Sequence, residues 1–319
     1  MIYVLRTYII ELHGTFMKLS QATASHLLDL DQPVISDYEI SILIFSLLTK
    51  KRFHGQKLEI TDNDSSYSLQ VKNVITSLKE FGIIEPHKDF PKGKVFRITG
   101  KKSYTAGDIV CAVDPFAYVS HISAMDFHGL TERIPKVLYV SSPSPHEWTE
   151  SGRKKMEKDS KGHIKDYLRE DLPRLTRILY QKIEKHPIIQ YSSIHRGAFR
   201  KIEGRSMRVS TIGRTFLDMV REPDYCGGTR HVAEIFRDFG PQYKKIIIDE
   251  ISRHGTKIEK ARTGYYFEEI CHIGDSIFDE WVSEAQRGGS RKLDPKNEFS
   301  PNFSERWCLS INVDLDGIV

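Results

Sequence analysis

The sequence lacks the features that mark several large protein classes. The only cysteines among its 319 residues are Cys111, Cys226, Cys271 and Cys308. No two of them form a C-x-x-C pair, and their wide spacing fits neither a zinc site nor a disulfide framework, which favours a reducing cytoplasm. No apolar run is long enough to cross a bilayer. The N-terminal run Met1–Ile10 is interrupted at Glu11, and no small-residue cleavage site follows it.

Motifs of common enzymes are also missing. The sequence has no G-x-S-x-G nucleophile elbow, no P-loop and no Gly-rich dinucleotide turn. His121 and His128 are seven residues apart and would share a helix face, but no further ligand at metal spacing accompanies them. Packed or capping histidines are therefore expected at both positions. We predict no catalytic residue, no metal site and no cofactor.

A metal-dependent nuclease is the enzyme class that the residue types come nearest to supporting. The carboxylates and the lysine that such a site needs occur at Asp249, Glu250, Lys257, Glu268, Glu269 and Asp275. Adjacent residues on a helix point in different directions, however, and no clear Asp…Glu-x-Lys strand pattern is present. The prediction is that the chain is not an enzyme, and the nuclease stays as an alternative.

Composition and charge are those of an ordinary globular protein with room for two domains. Hydrophobic residues make up 39% of the sequence and charged residues 28%. The formal net charge is +4 and the pI is about 8.7, which is mildly basic. This balance permits a nucleic-acid partner without requiring one.

The stretch Ser36–Thr99 begins with a predicted helix and a short strand. Ser36 and Glu39 have the S-x-x-E spacing of a capping box, in which each side chain satisfies a free amide at a helix start. The run Tyr38–Leu48 is apolar on most sides, which predicts the buried helix of a small domain. Lys57–Ile60 then predicts a short strand.

A second helix is predicted to begin in the cap and turn residues Thr61–Ser66 and to end at Gly82. Its apolar residues recur at spacings of three and four and should pack on the first helix: Val71, Val74, Ile75, Leu78 and Phe81. The opposite face carries uncharged or basic side chains that can hydrogen-bond base edges or phosphates: Ser66, Gln70, Lys72, Asn73, Ser77 and Lys79.

A hairpin is predicted next, because Ile83–Pro86 and Val95–Ile98 flank a turn with Pro and Gly. Its cations suit phosphate contact: Lys88, Lys92, Lys94 and Arg97. This order of elements predicts a winged helix-turn-helix, whose second helix enters the major groove while the hairpin touches the backbone. Gln70, Asn73 and Ser77 would read bases, and the cations of the helix and hairpin would hold phosphates. A module used only for protein contacts is the alternative.

The domain organisation follows from the polar, basic hinge Gly100–Ser103. Residues 20–100 would form the winged domain, and residues 104–319 a larger mixed α/β domain. The predicted fold class is therefore α+β. A helix Gln21–Leu30, capped by Ser20, would open the first domain.

The N-terminal segment is predicted to be peripheral to both domains. Residues 1–19 form this segment, and Met17 is a more natural beginning than Met1. We expect residues 1–16 to come from an upstream start codon.

The rest of the chain predicts alternating helices and strands. Strands are expected at Lys136–Val140, Ile188–Tyr191 and Arg306–Val313. Helices are expected at Pro115–Gly129, Val209–Val220, His231–Phe236, Ile246–Ile258 and Gly264–Cys271. The charge-dense Glu147–Asp171 predicts a solvated helix or loop in preference to a nucleic-acid arm. One basic run suggests either a second DNA-facing surface or an exposed solubilising edge: Arg196, Arg200, Lys201, Arg205 and Arg208.

Motifs in a fixed order extend from about Ser20 to the end of the chain. The predicted winged helix is followed by four motifs. The first is Pro-Phe-x-Tyr-x-Ser…Ser-Ala…His-Gly-Leu…Ile-Pro, and the second is Arg-Thr…Leu-Asp with a later Pro and Gly-Gly. The third is Gly-Tyr-x-x-Glu, and the fourth is Arg-Trp-x-Leu-x-Ile-Asn. They occur at Pro115–Pro135, Arg214–Gly228, Gly264–Glu268 and Arg306–Asn312. In this order the chain resembles the AbiEi antitoxin family, the regulator halves of abortive-infection toxin–antitoxin pairs. Residues 1–16 have no counterpart, and Glu147–Asp171 looks like an insertion.

The resemblance implies a cytoplasmic protein that represses its own operon by binding inverted repeats in double-stranded DNA. It also implies opposition to a toxin of the nucleotidyltransferase type, commonly without a stable complex. In the family the N-terminal domain carries most of the DNA contact, and the C-terminal domain, here Tyr104–Val319, is needed for antitoxicity. A ligand-responsive winged-helix transcription factor of another family is the second alternative.

Overall fold

A computed structural model describes residues 16–60, 66–101, 104–193, 198–286 and 291–318. The fold is α+β, with helices and several small sheets. The α-helices are α1 Leu19–Asp29, α2 Asp37–Lys50, α3 Tyr67–Glu80, α4 Ala106–Val113, α5 His121–Phe127, α6 Pro145–Asp159, α7 Ile164–Arg169, α8 Ile212–Arg221, α9 Thr229–His254, α10 Lys257–Tyr265 and α11 Ile277–Gln286. A 3₁₀ turn covers Pro223–Cys226, and a π-helical turn covers Tyr266–Ile270.

The strands are short, and they are β1 Phe16–Lys18, β2 Val34–Ser36, β3 Arg52–Phe53, β4 Gln56–Glu59, β5 Ile84–Pro86, β6 Val95–Ile98, β7 Tyr118–Val119, β8 Leu138–Pro143, β9 Lys182–Ile183, β10 His186–Ser193, β11 Phe199–Lys201, β12 Arg208–Ser210, β13 Arg291–Lys292, β14 Phe303–Ser304 and β15 Leu309–Ser310. Among the described residues, no helix is both long and apolar enough to cross a membrane.

The chain divides into two compact units, each built from separate stretches of sequence. Unit 1 comprises Met1–Ala117, Ser142–Ile188 and Lys201–Arg208. Unit 2 comprises Tyr118–Ser141, Ile189–Arg200 and Val209–Val319. The boundary expected at the hinge stays a prediction, and the peripheral role expected for the N-terminal segment concerns residues that lie mostly outside the described ranges.

Local sequence signals position the first helices of unit 1. The capping box of α2 is confirmed, because Glu39 N donates to Ser36 Oγ at 3.1 Å and Ser36 N donates to Glu39 Oε2 at 3.1 Å. The expected cap at Ser20 is wrong. Helix α1 begins at Leu19, and Gln21 Oε1 accepts a hydrogen bond from Lys18 N at 3.1 Å. The amide side chain of Gln21 therefore satisfies the main-chain amide of Lys18, the residue before the helix.

Helix α3 forms where the sequence predicts it. Ser66 is the N-cap and accepts a hydrogen bond from Leu69 N at 3.3 Å. Val71, Val74 and Leu78 are buried against the unit 1 core, as their spacing predicts. Phe81 does not continue this face. It is 47% exposed because the helix ends there, and Gly82 turns the chain with φ +65°.

Two small sheets flank these helices. The predicted hairpin is confirmed as β5 paired antiparallel with β6, and β2 pairs with the other edge of β6, placing Ile35 opposite Phe96. The predicted strand after α2 is confirmed as β4, which lies between β1 and β3. The pairings of β1 and β2 join residues far apart in sequence.

Helices α6 and α7 belong to the core of unit 1. Met156 and Tyr167 are buried there, and the Tyr167 ring lies edge-on to that of Phe45, with the centroids 5.2 Å apart. The interpretation of Glu147–Asp171 as mainly solvated is therefore only half right. The segment is helical, and one face of it covers α2.

The largest sheet has six strands in the order β11-β12-β7-β8-β10-β9. Val119 is paired with Val140 on one side and with Val209 on the other. The single helix expected over Pro115–Gly129 is wrong in its first half. Tyr118–Val119 is a strand, and α5 begins only at His121.

The core of unit 2 is helical, with Phe216, Phe236 and Phe267 fully buried. The two helices expected after Gly228 are a single helix, α9, which continues through Pro241. A proline inside a helix costs about 3 kcal/mol, and the packing of the buried face of α9 outweighs it.

The last buried residues come from the C-terminal stretch. Trp307 is fully buried and lies so close to Gly264 that a Cβ there would overlap the indole ring. Only glycine permits this approach. The long strand expected at Arg306–Val313 is wrong, because only Leu309–Ser310 pairs in a sheet and the surrounding residues turn into the core.

Candidate nucleic-acid interface

Helix α3 presents one polar face while its apolar face is fixed in unit 1. The main-chain amide of Tyr67 donates to Glu170 Oε2 at 2.9 Å, which anchors the start of the helix. Lys72 and Asn73 are exposed on the polar face. The start of the helix is therefore held by unit 1 while its polar side chains face outward.

The remaining polar side chains of α3 are amide, hydroxyl and ammonium groups. Gln70 and Ser77 line the polar face, with Ser77 half-buried. Lys79 is exposed, and its Nζ lies 4.9 Å from the centroid of the Phe96 ring. Glu80, the last residue of the helix, is its single acid. Hydrogen-bonding groups and cations therefore outnumber carboxylates on this helix.

A groove of about 570 Å³ lies against this face. Three residues predicted to read bases, Gln70, Asn73 and Ser77, line it together. Lys18 and Glu59 line the same groove, although no sequence pattern connects them with it. They arrive there through the pairing of β1 with β4, which no local pattern signals.

The side chains that line this groove carry amide, hydroxyl and carboxylate groups that can hydrogen-bond the edges of bases. An asparagine or glutamine amide fits adenine N6 and N7, and a carboxylate such as that of Glu59 accepts from cytosine N4. Serine hydroxyls serve either role. The set is suited to hydrogen-bonding a polar edge.

The four hairpin cations are not equivalent. Lys88 and Lys92 are exposed, and neither has a carboxylate at ion-pair distance within the described ranges. Lys94 Nζ lies 2.7 Å from Asp37 Oδ2, and Arg97 Nη2 lies 2.9 Å from Glu184 Oε1. The first pair ties the hairpin to the start of α2, so Lys94 and Arg97 are partly neutralised inside unit 1.

The residues of the second basic run differ in their surroundings, since some are exposed and others are hydrogen-bonded within unit 1. Arg196 lies outside the described residues, and Arg200 and Lys201 are exposed on β11. Arg205 donates to the buried carboxylate of Asp108, with Nε 3.0 Å from Oδ1. Burial raises the pKa of Asp108, but hydrogen bonds from Arg205 and Thr105 together lower it by more than burial raises it. The pKa of Asp108 is therefore lowered overall.

Arg208 is also used inside unit 1. Its guanidinium donates to three main-chain oxygens, those of Ala117 and Cys111 at 2.8 Å and that of Asp114 at 2.6 Å. The Arg205 and Arg208 guanidinium groups therefore bind other residues of unit 1, and they do not extend an exposed basic surface.

His121 and His128, which were expected to be packed or capping histidines, have different hydrogen-bond partners. His121 Nδ1 is 2.8 Å from Ser120 Oγ, whereas His128 Nε2 is 2.7 Å from the Ser210 main-chain oxygen. Burial lowers the pKa of both rings. Within the described residues, no group of three or more His, Cys, Asp or Glu side chains is placed to hold a metal ion.

Three of the carboxylates considered for a nuclease, those of Asp249, Glu268 and Asp275, are engaged in separate ion pairs. Asp249 contacts Arg253 at 2.7 Å, and Asp275 contacts Lys244 at 2.8 Å. Glu268 accepts hydrogen bonds from Arg306 at 2.7 Å and from the Trp307 indole at 2.9 Å. These three acids therefore have three different cationic partners.

Unit 2 contains a buried polar cluster that local sequence patterns did not predict. Arg214 Nε donates to Asp218 Oδ1 at 2.9 Å, and both side chains are almost entirely excluded from solvent. Polar atoms of His121 and Arg214 have no partner among the described protein atoms. The Arg-Thr-x-x-Asp spacing, which places Arg214 and Asp218 one helical turn apart, is the signal that could have revealed this pair.

Comparisons with known proteins give no family assignment. No protein-family model matches the sequence, and no curated protein matches it. Among solved structures, the chain is similar to one described as "Crystal structure of RV2827C protein from Mycobacterium tuberculosis". The two are 9% identical, with a TM-score of 0.44 over 91% of this chain and 90% of the other. A similarity of this size does not establish a shared fold.

Proposed function

We propose that unit 1 is a winged helix-turn-helix that binds double-stranded DNA, with α3 as the recognition helix and the β5–β6 hairpin as the wing. The observation that carries the proposal is the polar face of α3, where Gln70, Asn73 and Ser77 share one groove. Since only the apolar face of α3 is buried, the opposite face can enter a major groove. Direct readout would come from these three side chains, with Glu59 as a further acceptor.

Phosphate contacts in this proposal come from a subset of the predicted cations. Lys72 on α3 and Lys88 and Lys92 on the hairpin are exposed and have no ion-pair partner within the described ranges. Lys79, Lys94 and Arg97 each have an internal contact, and a phosphate would have to compete with it. Lys72, Lys88 and Lys92 therefore contribute most of the salt-dependent affinity.

The biological role that we propose is that of an antitoxin and autorepressor. It would bind inverted repeats upstream of its own gene and oppose a nucleotidyltransferase-type toxin. This part rests on the order of motifs that resembles the AbiEi family. The Arg-Thr-x-x-Asp and Gly-Tyr-x-x-Glu motifs supply side chains to the buried framework of unit 2: Arg214 and Asp218 pair with each other, and Glu268 binds the Trp307 indole.

The first experiment is a gel shift of the purified protein with the DNA immediately upstream of its gene. Unrelated duplex serves as competitor, and the salt concentration is varied. Binding that survives the competitor and weakens steeply with salt is the expected result. A shift that unrelated DNA abolishes equally would make unit 1 a protein-interaction module.

Antitoxicity needs a separate test in cells. The neighbouring gene is expressed alone and together with this chain, and colony survival is counted. Rescue by the intact chain is expected. A chain that leaves the toxicity of its neighbour unchanged contradicts the antitoxin role without affecting the DNA-binding proposal.

A further inference from the structure

A second groove in unit 1, of about 730 Å³, runs along the solvent side of α2. Its floor is apolar and contains Leu30, Ile42, Leu43 and Phe53, which are half-buried and pack on the unit 1 core. The core covers Ile42 and Leu43 only in part, and each leaves some of its apolar surface exposed in the groove. We call this feature the basic groove because of the charges along its edge.

The edge of the basic groove carries an excess of cations. Lys50 and Arg52 come from the end of α2 and from β3, and Lys158 and Lys161 from α6 and the turn after it. All four are exposed, and none has a carboxylate at ion-pair distance in the described part of the chain. The Lys50 and Lys161 ammonium groups are neighbours, and repulsion from Lys161 is the main cause that lowers the pKa of Lys50.

The acidic residues that line the groove do not neutralise these cations. Asp159 Oδ2 accepts hydrogen bonds from Lys155 at 2.8 Å and from the Tyr38 hydroxyl at 2.9 Å. Glu39 accepts from Ser36 in the α2 capping box. Both carboxylates are therefore hydrogen-bonded to other groups, and the four exposed cations at the edge are left to attract an acidic partner.

The combination of an aliphatic floor with a cationic edge selects the chemistry of the occupant. A nucleic-acid backbone would satisfy the lysines but leave Ile42 and Leu43 without apolar contact. An amphipathic helix satisfies both, since residues at i, i+3, i+4 and i+7 cover the floor while acidic side chains reach the edge. The stretch of α2 from Glu39 to Lys50 is about 17 Å long, which is three helical turns.

We propose that the basic groove docks an acidic amphipathic helix of a partner protein. Its apolar stripe lies on Ile42, Leu43 and Phe53, and its carboxylates pair with Lys50 and Lys161. This interaction goes beyond DNA binding and does not depend on it, because the groove and the polar face of α3 are lined by different residues.

The test uses the full-length protein and fluorescence anisotropy. The probe is a labelled peptide of about 16 residues, with leucines at i, i+3, i+4 and i+7 and glutamates elsewhere. A scrambled peptide of identical composition and an unlabelled duplex of unrelated sequence serve as comparisons. We expect saturable binding of the amphipathic peptide, weaker binding of the scrambled one, and no displacement by the duplex.

Charge-reversal variants locate the binding. Lys50→Glu with Lys161→Glu should weaken the amphipathic peptide about tenfold or more. The matched variant Arg153→Glu with Lys154→Glu changes two exposed cations of α6 that do not line the groove, and it should leave the affinity unchanged. Leu43→Ser should weaken binding without changing its salt dependence, because it removes apolar contact alone.

Three results would overturn the proposal. One is no binding of the amphipathic peptide. Another is equal binding of the scrambled peptide, which would mean general attraction to polyanions. The third is displacement by duplex DNA, which would make the groove a nucleic-acid surface. None of these results alters the outcome of the gel shift with upstream DNA, so the two proposals fail separately.

Discussion

Arg214 and Asp218 form an ion pair one turn apart on α8, in a part of unit 2 that excludes solvent almost completely. Removing one partner would leave the other charge buried without compensation, at a cost of about 3–5 kcal/mol. We therefore expect Arg214→Met and Asp218→Asn each to lower the free energy of unfolding strongly, measured by urea denaturation with tryptophan fluorescence.

The chain supplies a matched control for this prediction. Asp249 and Arg253 form an ion pair with the same i, i+4 spacing on α9, but both side chains are more than half exposed. Arg253→Met should change the free energy of unfolding by no more than about 0.5 kcal/mol. Equal effects at the two sites would show that burial does not govern the Arg214 pair.

Gly264 gives a prediction about shape rather than charge. A methyl group there would overlap the Trp307 ring, so Gly264→Ala should destabilise unit 2 by about 1–3 kcal/mol or more. Gly274→Ala is the control, because a methyl group at that position would meet no heavy atom within 4 Å and the φ of Gly274 is not positive. Thermal unfolding by circular dichroism compares the two. A Gly264→Ala protein as stable as the parent contradicts this account of the packing.

Lys88 and Lys92 test the wing. Lys88→Ala with Lys92→Ala should weaken binding to upstream and unrelated DNA alike and reduce the salt slope by about 2. Anisotropy titrations at several salt concentrations measure both quantities. Lys245→Ala, an exposed lysine of α9, is the control and should change neither. A double variant with an unchanged slope would remove the hairpin from the DNA contact.

Asn73 tests base readout. Asn73→Ala should cost about 1–3 kcal/mol at one base pair of the operator and relax the preference there. Thr76→Ala, an exposed position on the same helix that does not line the groove, should leave specificity intact. Binding to a set of single-substituted operators gives the readout. If Asn73→Ala weakened every operator equally, Asn73 would be a backbone contact.

Glu259 gives unit 2 a defined response to acid. Burial raises its pKa, but hydrogen bonds from Arg221 and Thr256 lower it more, so the folded pKa lies below the unfolded value near 4.5. Its stabilising contribution is therefore complete above that value and is lost as the pH falls through the folded pKa. Glu259→Gln should flatten the fall in unfolding free energy below about pH 5, measured by urea denaturation. Glu280→Gln, at an exposed position, should retain the parent profile.

Short-range signals predicted the parts of the fold that depend on neighbouring residues. The capping box at Ser36 and the cap at Ser66 are each completed within three residues, so the sequence is sufficient to find them. The continuation of α9 through Pro241 was missed because packing on distant residues outweighs the local cost. The pairing of β2 with β6 was missed for the same reason, since its partners are about 60 residues apart.

In the candidate site, too, local sequence patterns predicted some features, while others depend on residues far away in the sequence. Helical spacing was enough to place Gln70, Asn73 and Ser77 on one face, and they line one groove. The internal partners of Lys94 and Arg97 come from other elements, and Glu184 is 87 residues away from Arg97. Residue type alone could not distinguish these cations from Lys88 and Lys92. The charge available to a phosphate depends on tertiary contacts.

The burial of Trp307, Leu309 and Ile318 in unit 2 has a consequence for protein synthesis. Unit 1 ends at Arg208, whereas the core of unit 2 is complete only when Ile318 has been added. A ribosome adding roughly 5–20 residues per second needs about 5–20 seconds for the intervening stretch. During that interval a nascent chain has every residue of unit 1 but an unfinished unit 2. Chaperones and proteases therefore encounter the second unit with its apolar side chains still uncovered.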